Sequence, residues 1–141
     1  MAPAVSYVAT GPSGAGDAEW AARVAAHRAR RPTWWRTIET TDLAGVLRER
    51  HDGVLLIDGI GTWLAAVLDD AALRVPELVS AWRNTPNRVV AVSDEAGLGV
   101  VPPTAAGRGF RDWLGRLNQA LAAESEAAEL VVAGQVVSLS E

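Results

Sequence analysis

The 141-residue sequence contains no cysteine and no lysine, and each absence excludes a kind of chemistry. Without cysteine, disulfides, thiolate zinc sites and cysteine nucleophiles are excluded. Without lysine, the chain cannot contain a phosphate-binding loop of the type G-x-x-x-x-G-K-[ST], in which the lysine reaches the terminal phosphates. All 13 basic residues are therefore arginines, and any nucleotide chemistry has to proceed without that lysine.

Long apolar runs and a positive net charge are lacking too. No stretch approaches the roughly 20 apolar residues that a membrane span requires, and the N-terminus lacks the basic and apolar regions of a signal peptide. The net charge of −4 argues against general nucleic-acid binding. We therefore expect a cytoplasmic protein with no membrane span and no nucleic-acid partner. The length, with 49% hydrophobic residues, suits one domain with a substantial core.

Segments typical of strands alternate with segments typical of helices, which predicts one α/β domain over residues 1–141 with a mostly parallel sheet flanked by helices. Strands are predicted at residues 4–10, 34–40, 54–58 and 88–92. Helices are predicted between Asp17 and Pro32 and at residues 41–50, 59–70, 76–84 and 105–123. Residues 129–139 predict a C-terminal β-hairpin that turns at Gly134 and Gln135.

The glycine-containing segment G-P-S-G-A-G-D, residues 11–17, lies between the first strand and the first helix. Glycines in that place are typical of phosphate loops. The spacing fits neither the Walker pattern nor the dinucleotide-binding pattern, so the segment alone favours a flexible turn.

Residues 17–36 concentrate arginines around His27, one of two histidines in the chain. On a helix, Arg23 and Arg31 lie four residues to either side of His27 and share its face. Neighbouring cations lower the pKa of an imidazole and keep it neutral and nucleophilic, and the arginines can clamp phosphate oxygens. This pattern suits covalent transfer of a phosphoryl or nucleotidyl group. The alternative is a solvated basic helix face with an incidental histidine.

The clearest predicted strand, V-L-L-I-D at residues 54–58, ends in Asp58. Its apolar run is typical of a parallel strand buried on both faces. Asp58 would lie at the carboxyl edge of the sheet, where open α/β folds bind ligands. It would there hold Mg²⁺, directly or through water, or else cap the following helix. Asp94 and Glu95 are expected at the same edge.

Five segments, taken in order, resemble one family. They are R-V-A-A-H-R-A-R-R-P-T-W-W-R-T at 23–37, L-I-D-G-I-G-T-W-L at 56–64, V-S-D-E-A-G-L-G-V-V-P at 92–102, F-R-D-W-L-G-R-L-N-Q at 110–119 and L-V-V-A-G at 130–134. The chain resembles the bifunctional adenosylcobinamide kinase/adenosylcobinamide-phosphate guanylyltransferase family over nearly its whole length.

The resemblance implies a role in nucleotide-loop assembly during cobalamin biosynthesis. The family phosphorylates adenosylcobinamide and then transfers GMP from GTP to that phosphate through a guanylated histidine, which aligns with His27. GTP or ATP, Mg²⁺ and a corrinoid are the implied small molecules, and a homo-oligomer is a further implied state. Asp58 is the implied metal ligand. The implied nucleotide-binding residues are Thr10, Gly11, Pro12, Arg28, Ala29, Arg30, Arg31, Glu39 and Asp58.

The chain also departs from the family pattern. Family members begin with a strand, a G-G-x-R-S-G-K-S loop and a helix, whereas the sequence from Met1 begins just before what would be the second strand. The implied fold is that of a RecA-like P-loop NTPase without its first strand, P-loop and first helix, truncated at the N-terminus relative to the family. Gly59 replaces a frequent cysteine, Ala26 an often-found second histidine, and Asp94 a usual asparagine. We expect the kinase activity to be lost; the alternative is a non-catalytic or partner-dependent remnant that keeps the fold but not the activity.

Overall fold

The computed structural model describes residues 4–11, 18–95 and 102–140. Six strands and five α-helices occur in these residues, together with a 3-10 turn at Leu68–Asp70. In chain order they are β1 (Val5–Ala9), α1 (Ala18–Arg30), β2 (Arg36–Glu39), α2 (Leu43–Arg48), β3 (Val54–Asp58), α3 (Ile60–Ala66), α4 (Ala71–Asn84), β4 (Arg88–Val92), α5 (Ala105–Ala123), β5 (Glu129–Val132) and β6 (Gln135–Ser138).

Strands β1 to β4 form a parallel sheet in the order β2, β1, β3, β4. Val8 of β1 pairs in register with Ile57 of β3, and Ile57 pairs with Ala91 of β4. The carboxyl ends of β1 and β3 therefore meet, because Ala9 lies beside Asp58. The predicted α/β class with a mostly parallel sheet is confirmed, and the architecture is consistent with a P-loop-like fold.

The core lies on one face of the sheet. Val8, Leu55 and Ile57 point to that face and are fully buried against helices α2 to α5. The expectation that β3 is buried on both faces is wrong for the opposite face, where Leu56 is half-buried and its neighbour Val90 is 51% exposed. Helix α1 does not cover this face, since it contains no buried residue.

Helix α4 begins at Ala71, earlier than the predicted start at residue 76. Pro76 favoured a start there because proline suits the first turn of a helix. In the structure Pro76 lies inside the helix and leaves one backbone hydrogen bond unmade. Burial of Ala71, Val75 and Leu78 in the core stabilises the turns on both sides of it.

Strands β5 and β6 form the predicted hairpin as a separate antiparallel sheet. Its two turn residues are Ala133 and Gly134, not Gly134 and Gln135, because Val132 and Gln135 close the ladder. Both turn residues have positive φ, 51° and 73°, which matches a type I′ turn with glycine in its second position. Within the described part of the chain, no helix is long and apolar enough to cross a membrane.

Candidate active site

A cavity of about 320 Å³ opens at the carboxyl ends of the central strands, beside helix α1. Side chains from β1, α1, β2, β3 and the segment after β4 meet there. The lining residues are Tyr7, Ala9, Gly11, Trp20, Arg23, Val24, His27, Arg31, Glu39, Asp58, Gly59, Thr62, Val92 and Asp94. The cavity thus lies at the sheet edge where open α/β folds bind ligands.

Helix α1 contributes one side of the cavity. Trp20, Val24 and His27 recur at helical spacing and line it together with Arg23. Arg31 follows the last residue of the helix and lines the same cavity. The structure therefore brings His27 together with the two arginines that share its predicted face.

Gly11 lies beside the first turn of α1. A Cβ atom at this position would lie 3.4 Å from the Trp20 ring, which is an ordinary van der Waals contact. Pro12 and Asp17, where the predicted first helix begins, lie outside the described residues. Of the predicted nucleotide-contacting turn, the structure places Gly11 in the cavity wall.

Thr10 is buried, 2% exposed, and does not line the cavity. Its hydroxyl contacts the carbonyl oxygen of Gly59 at 2.7 Å and the hydroxyl of Thr62 at 2.7 Å. The Gly59 backbone N–H also donates to it, at 3.3 Å. Thr10 thus links the end of β1 to the start of α3, two segments that form part of the cavity wall.

Asp58 does not cap helix α3. The N-cap residue is Gly59, and no side chain makes a capping hydrogen bond there. Instead Asp58 lines the cavity, and its Oδ2 accepts a hydrogen bond of 2.6 Å from the Tyr7 hydroxyl. The sequence leaves two roles open for Asp58, and the structure excludes helix capping.

Tyr7 is a site residue that the sequence analysis missed. Its ring is 8% exposed, and burial together with the neighbouring Asp58 carboxylate raises the pKa of Tyr7 to about 12. The Arg31 guanidinium carbon lies 4.0 Å from the centre of the same ring, and this cation acts in the opposite direction on the pKa. No local sequence signal could have found Tyr7, because its contact with Asp58 depends on the register between β1 and β3.

The basic segment after His27 divides between the cavity and the surface. Arg28, Ala29 and Arg30 do not line the cavity, whereas Arg31 does. Arg28 forms an ion pair with Glu39, a cavity-lining residue at the end of β2. Arg28 therefore contacts the wall of the cavity through Glu39.

The segment after β4 adds a second carboxylate. Asp94 lines the cavity as expected from its place after the strand, whereas Glu95 does not. The Asn118 side chain on α5 donates to the Asp94 backbone carbonyl at 2.9 Å and accepts from the Ser93 hydroxyl at 2.6 Å. Helix α5 thus fixes the backbone that carries Asp94.

The cavity contains two carboxylates that could serve as ligands of a magnesium ion. The described residues contain no group of three or more histidine, cysteine, aspartate or glutamate side chains that could enclose a metal by itself. Mg²⁺ usually keeps several waters and takes one or two carboxylates plus substrate phosphates. Asp58 and Asp94 are carboxylates of that kind, since both line the cavity.

Comparison with known proteins identifies the family. The family described as cobinamide kinase / cobinamide phosphate guanyltransferase matches residues 1–139. The chain belongs to this family. It is 42% identical over 139 residues to the bifunctional adenosylcobalamin biosynthesis protein CobP of Pseudomonas aeruginosa, covering 93% of this chain and 79% of that protein.

Two further relatives carry the name bifunctional adenosylcobalamin biosynthesis protein CobU. The protein of Salmonella typhimurium is 36% identical over 160 residues, covering 94% of this chain and 84% of its own length. The protein of Escherichia coli is 33% identical over 151 residues, with coverage of 92% and 82%. The resemblance drawn from the five sequence segments is thereby confirmed, and the chain is a member of a family that works in cobalamin biosynthesis.

Proposed function

We propose that this chain transfers GMP from GTP to adenosylcobinamide phosphate through a guanylated His27. The observation that carries the proposal is the meeting of His27, Arg31 and Asp58 in one cavity at the carboxyl edge of the sheet. A nucleophile, a cation for phosphate oxygens and a carboxylate for a metal are the parts such a transfer needs. The names of the relatives support the same pathway.

In the first half-reaction, an imidazole nitrogen of His27 attacks the α-phosphorus of GTP. A nitrogen–phosphorus bond forms, the bond from the α-phosphorus to the bridging oxygen breaks, and pyrophosphate leaves. In the second, an oxygen of the corrinoid phosphate attacks the same phosphorus and His27 is released. Arg23 and Arg31 line the cavity beside His27, where they take up the charge that gathers on phosphate oxygens in both transition states.

Asp58 is the proposed ligand of Mg²⁺, directly or through water. When bound, the ion supplies charge neutralisation on the phosphates. The nucleotide itself is proposed to contact Gly11, Arg31, Glu39 and Asp58, which line the cavity. Arg28 acts through Glu39, and Thr10 acts by holding the end of β1. Nucleotide contacts by Pro12, Ala29 and Arg30 are proposed from the family resemblance alone. A cytoplasmic location is proposed as well.

The experiment follows radioactive label from the α-phosphate of GTP in the presence of Mg²⁺. A phosphoramidate on histidine is labile in acid and stable in base, so label with that behaviour identifies the proposed intermediate. His27→Ala should abolish the label. His51→Ala is the control, because His51 lies outside the cavity and bonds through Nε2 to the Val46 carbonyl oxygen at 3.0 Å. Label that survives in His27→Ala would refute the assignment.

The 141-residue chain is also proposed to lack kinase activity. It contains no lysine and therefore no Walker lysine to reach the terminal phosphates. Purified chain incubated with ATP or GTP and adenosylcobinamide should yield no adenosylcobinamide phosphate above the rate without protein. Protein-dependent phosphorylation would contradict this proposal and leave the guanylyl transfer untouched.

The second candidate is a partner-dependent member of the family that assembles before it acts. The observation that favours it is the exposed apolar surface on the sheet face at Val90 and on the hairpin at Val131 and Val136, each about half exposed or more. A homo-oligomer is the simplest such assembly. Sedimentation at several concentrations tests it, and a monomer at all of them that forms the histidine adduct would contradict it.

A further inference from the structure

We infer that Tyr7 is a positioning residue that keeps Arg31 and Asp58 apart, so that each stays available to a bound nucleotide and its metal. The inference rests on the proposed function for the roles of Arg31 and Asp58. It concerns a residue that neither the sequence motifs nor the proposed reaction steps include.

Tyr7 contacts both charged groups at once. Its hydroxyl donates to Asp58 Oδ2 at 2.6 Å, which is short and charge-assisted. Its ring lies beneath the Arg31 guanidinium, whose central carbon is 4.0 Å from the ring centre. A cation over an aromatic face is attracted to it. One side chain therefore binds the anion with its hydroxyl and the cation with its ring.

Neighbouring groups fix both the ring and the guanidinium. Trp35 stacks on the Tyr7 ring with centroids 6.4 Å apart and an interplanar angle of 23°. Arg31 donates from Nη1 to the Thr37 hydroxyl at 3.0 Å, and Thr37 is the register partner of Tyr7 on the neighbouring strand. The guanidinium is thus held at two points on adjacent strands.

This arrangement prevents a contact that electrostatics would otherwise favour. Arg31 and Asp58 line the same cavity with opposite charges, yet they do not form an ion pair with each other among the pairs found in the described residues. Without the Tyr7 hydroxyl, the Asp58 oxygen would lose its donor, and the Arg31 guanidinium would be a strong replacement. That pair would remove a cation from the phosphate site and a carboxylate from the metal site together.

The test measures equilibrium binding of GDP without metal, in the presence of a chelator, by calorimetry. Tyr7→Phe removes the hydroxyl and keeps the ring, so Arg31 is expected to pair with Asp58 and GDP binding to weaken about tenfold. In an Asp58→Asn background the competing charge is gone, and Tyr7→Phe should then leave GDP affinity unchanged. A residue with a merely structural role would weaken binding equally in both backgrounds.

Asp94→Asn is the matched control background, because Asp94 is a second cavity carboxylate that the Tyr7 hydroxyl does not bond. There Tyr7→Phe should weaken GDP binding as much as in the wild type. Equal affinity of wild type and Tyr7→Phe overturns the inference, as does equal weakening in all three backgrounds or no GDP binding by the wild type. Failure of the proposed function appears separately, as the absence of label on His27, and leaves this comparison of affinities intact.

Discussion

The alkaline titration of Tyr7 gives a direct test of the site, because the composition of the chain isolates it. Tyr7 is the only tyrosine, and the chain has no lysine and no cysteine. Those are the side chains that ordinarily lose a proton from roughly pH 8 to pH 11, whereas arginine stays charged well above that range. Phenolate that forms under alkaline conditions can therefore come only from Tyr7.

The magnitude follows from the surroundings of the phenol. Burial of the ring is the largest cause and the hydrogen bond to Asp58 is the next, and together they raise the pKa of Tyr7 from 10.0 to about 12. Below the unfolded pKa, the phenol is protonated in both states and adds no pH dependence. Above it, the unfolded chain releases a proton that the folded chain retains, so the free energy of unfolding falls as pH rises. At about 1.4 kcal/mol per pKa unit, the total loss is at most about 3 kcal/mol, and solvent screening in the open cavity reduces it.

The assay is the near-ultraviolet absorbance of the phenolate, recorded against pH in the folded protein and in denaturant. The folded midpoint should lie well above the denatured one. Asp58→Asn should lower the folded pKa of Tyr7 but leave it above the ordinary value, because burial remains; Asp94→Asn should leave it unchanged. A folded midpoint equal to the denatured one, or no response to Asp58→Asn, would refute the contact between the two side chains.

Two backbone features lead to predictions about stability. Gly53→Ala should lower the free energy of unfolding by at least about 3 kcal/mol, because φ is 71° and the new Cβ would lie 1.9 Å from the Ala4 carbonyl oxygen. Gly134→Ala should lower it by only about 1–2 kcal/mol, because φ is 73° but the new Cβ would have no atom within 4 Å. Equal losses in denaturant unfolding would show that the collision is relieved. Asp42→Ala should lower the free energy of unfolding by about 1 kcal/mol, because it removes the side-chain oxygen that accepts from the Gly45 N–H at 3.1 Å. Asp42→Asn can still accept this hydrogen bond and should lower it less.

The elements that local sequence determines were predicted well. Strand β3 has the predicted bounds because an apolar run followed by a turn leaves little choice of where the strand begins and ends. Helices α2 and α5 lie within the predicted ranges 41–50 and 105–123, and Asp42 and Thr104 cap them, since the side-chain oxygen of each accepts from the backbone N–H three residues later. His27 reached the cavity because helical spacing alone places it with Arg23.

Features that depend on distant pairing were missed. Tyr7 and Asp58 are 51 residues apart in the chain, and their contact depends on the register between β1 and β3. A slip of one residue would turn Tyr7 to the other face of the sheet, so no local pattern reveals the contact. The unequal burial of the two sheet faces likewise depends on which distant segments pack against them. The apolar run of β3 looks the same whether one face or both are covered.

The charges in the cavity lead to a last prediction, that Mg²⁺ tightens GTP binding. The cavity is lined by two arginines and three carboxylates: Arg23, Arg31, Glu39, Asp58 and Asp94. Even with Glu39 paired to Arg28, the lining offers a triphosphate no excess of positive charge. A divalent cation held by Asp58 would reverse this balance. Calorimetry should therefore show that Mg²⁺ tightens GTP binding, and that Asp58→Asn removes most of the gain. Equal GTP affinity with Mg²⁺ and with chelator would show that the arginines alone hold the phosphates, and that Asp58 has another role.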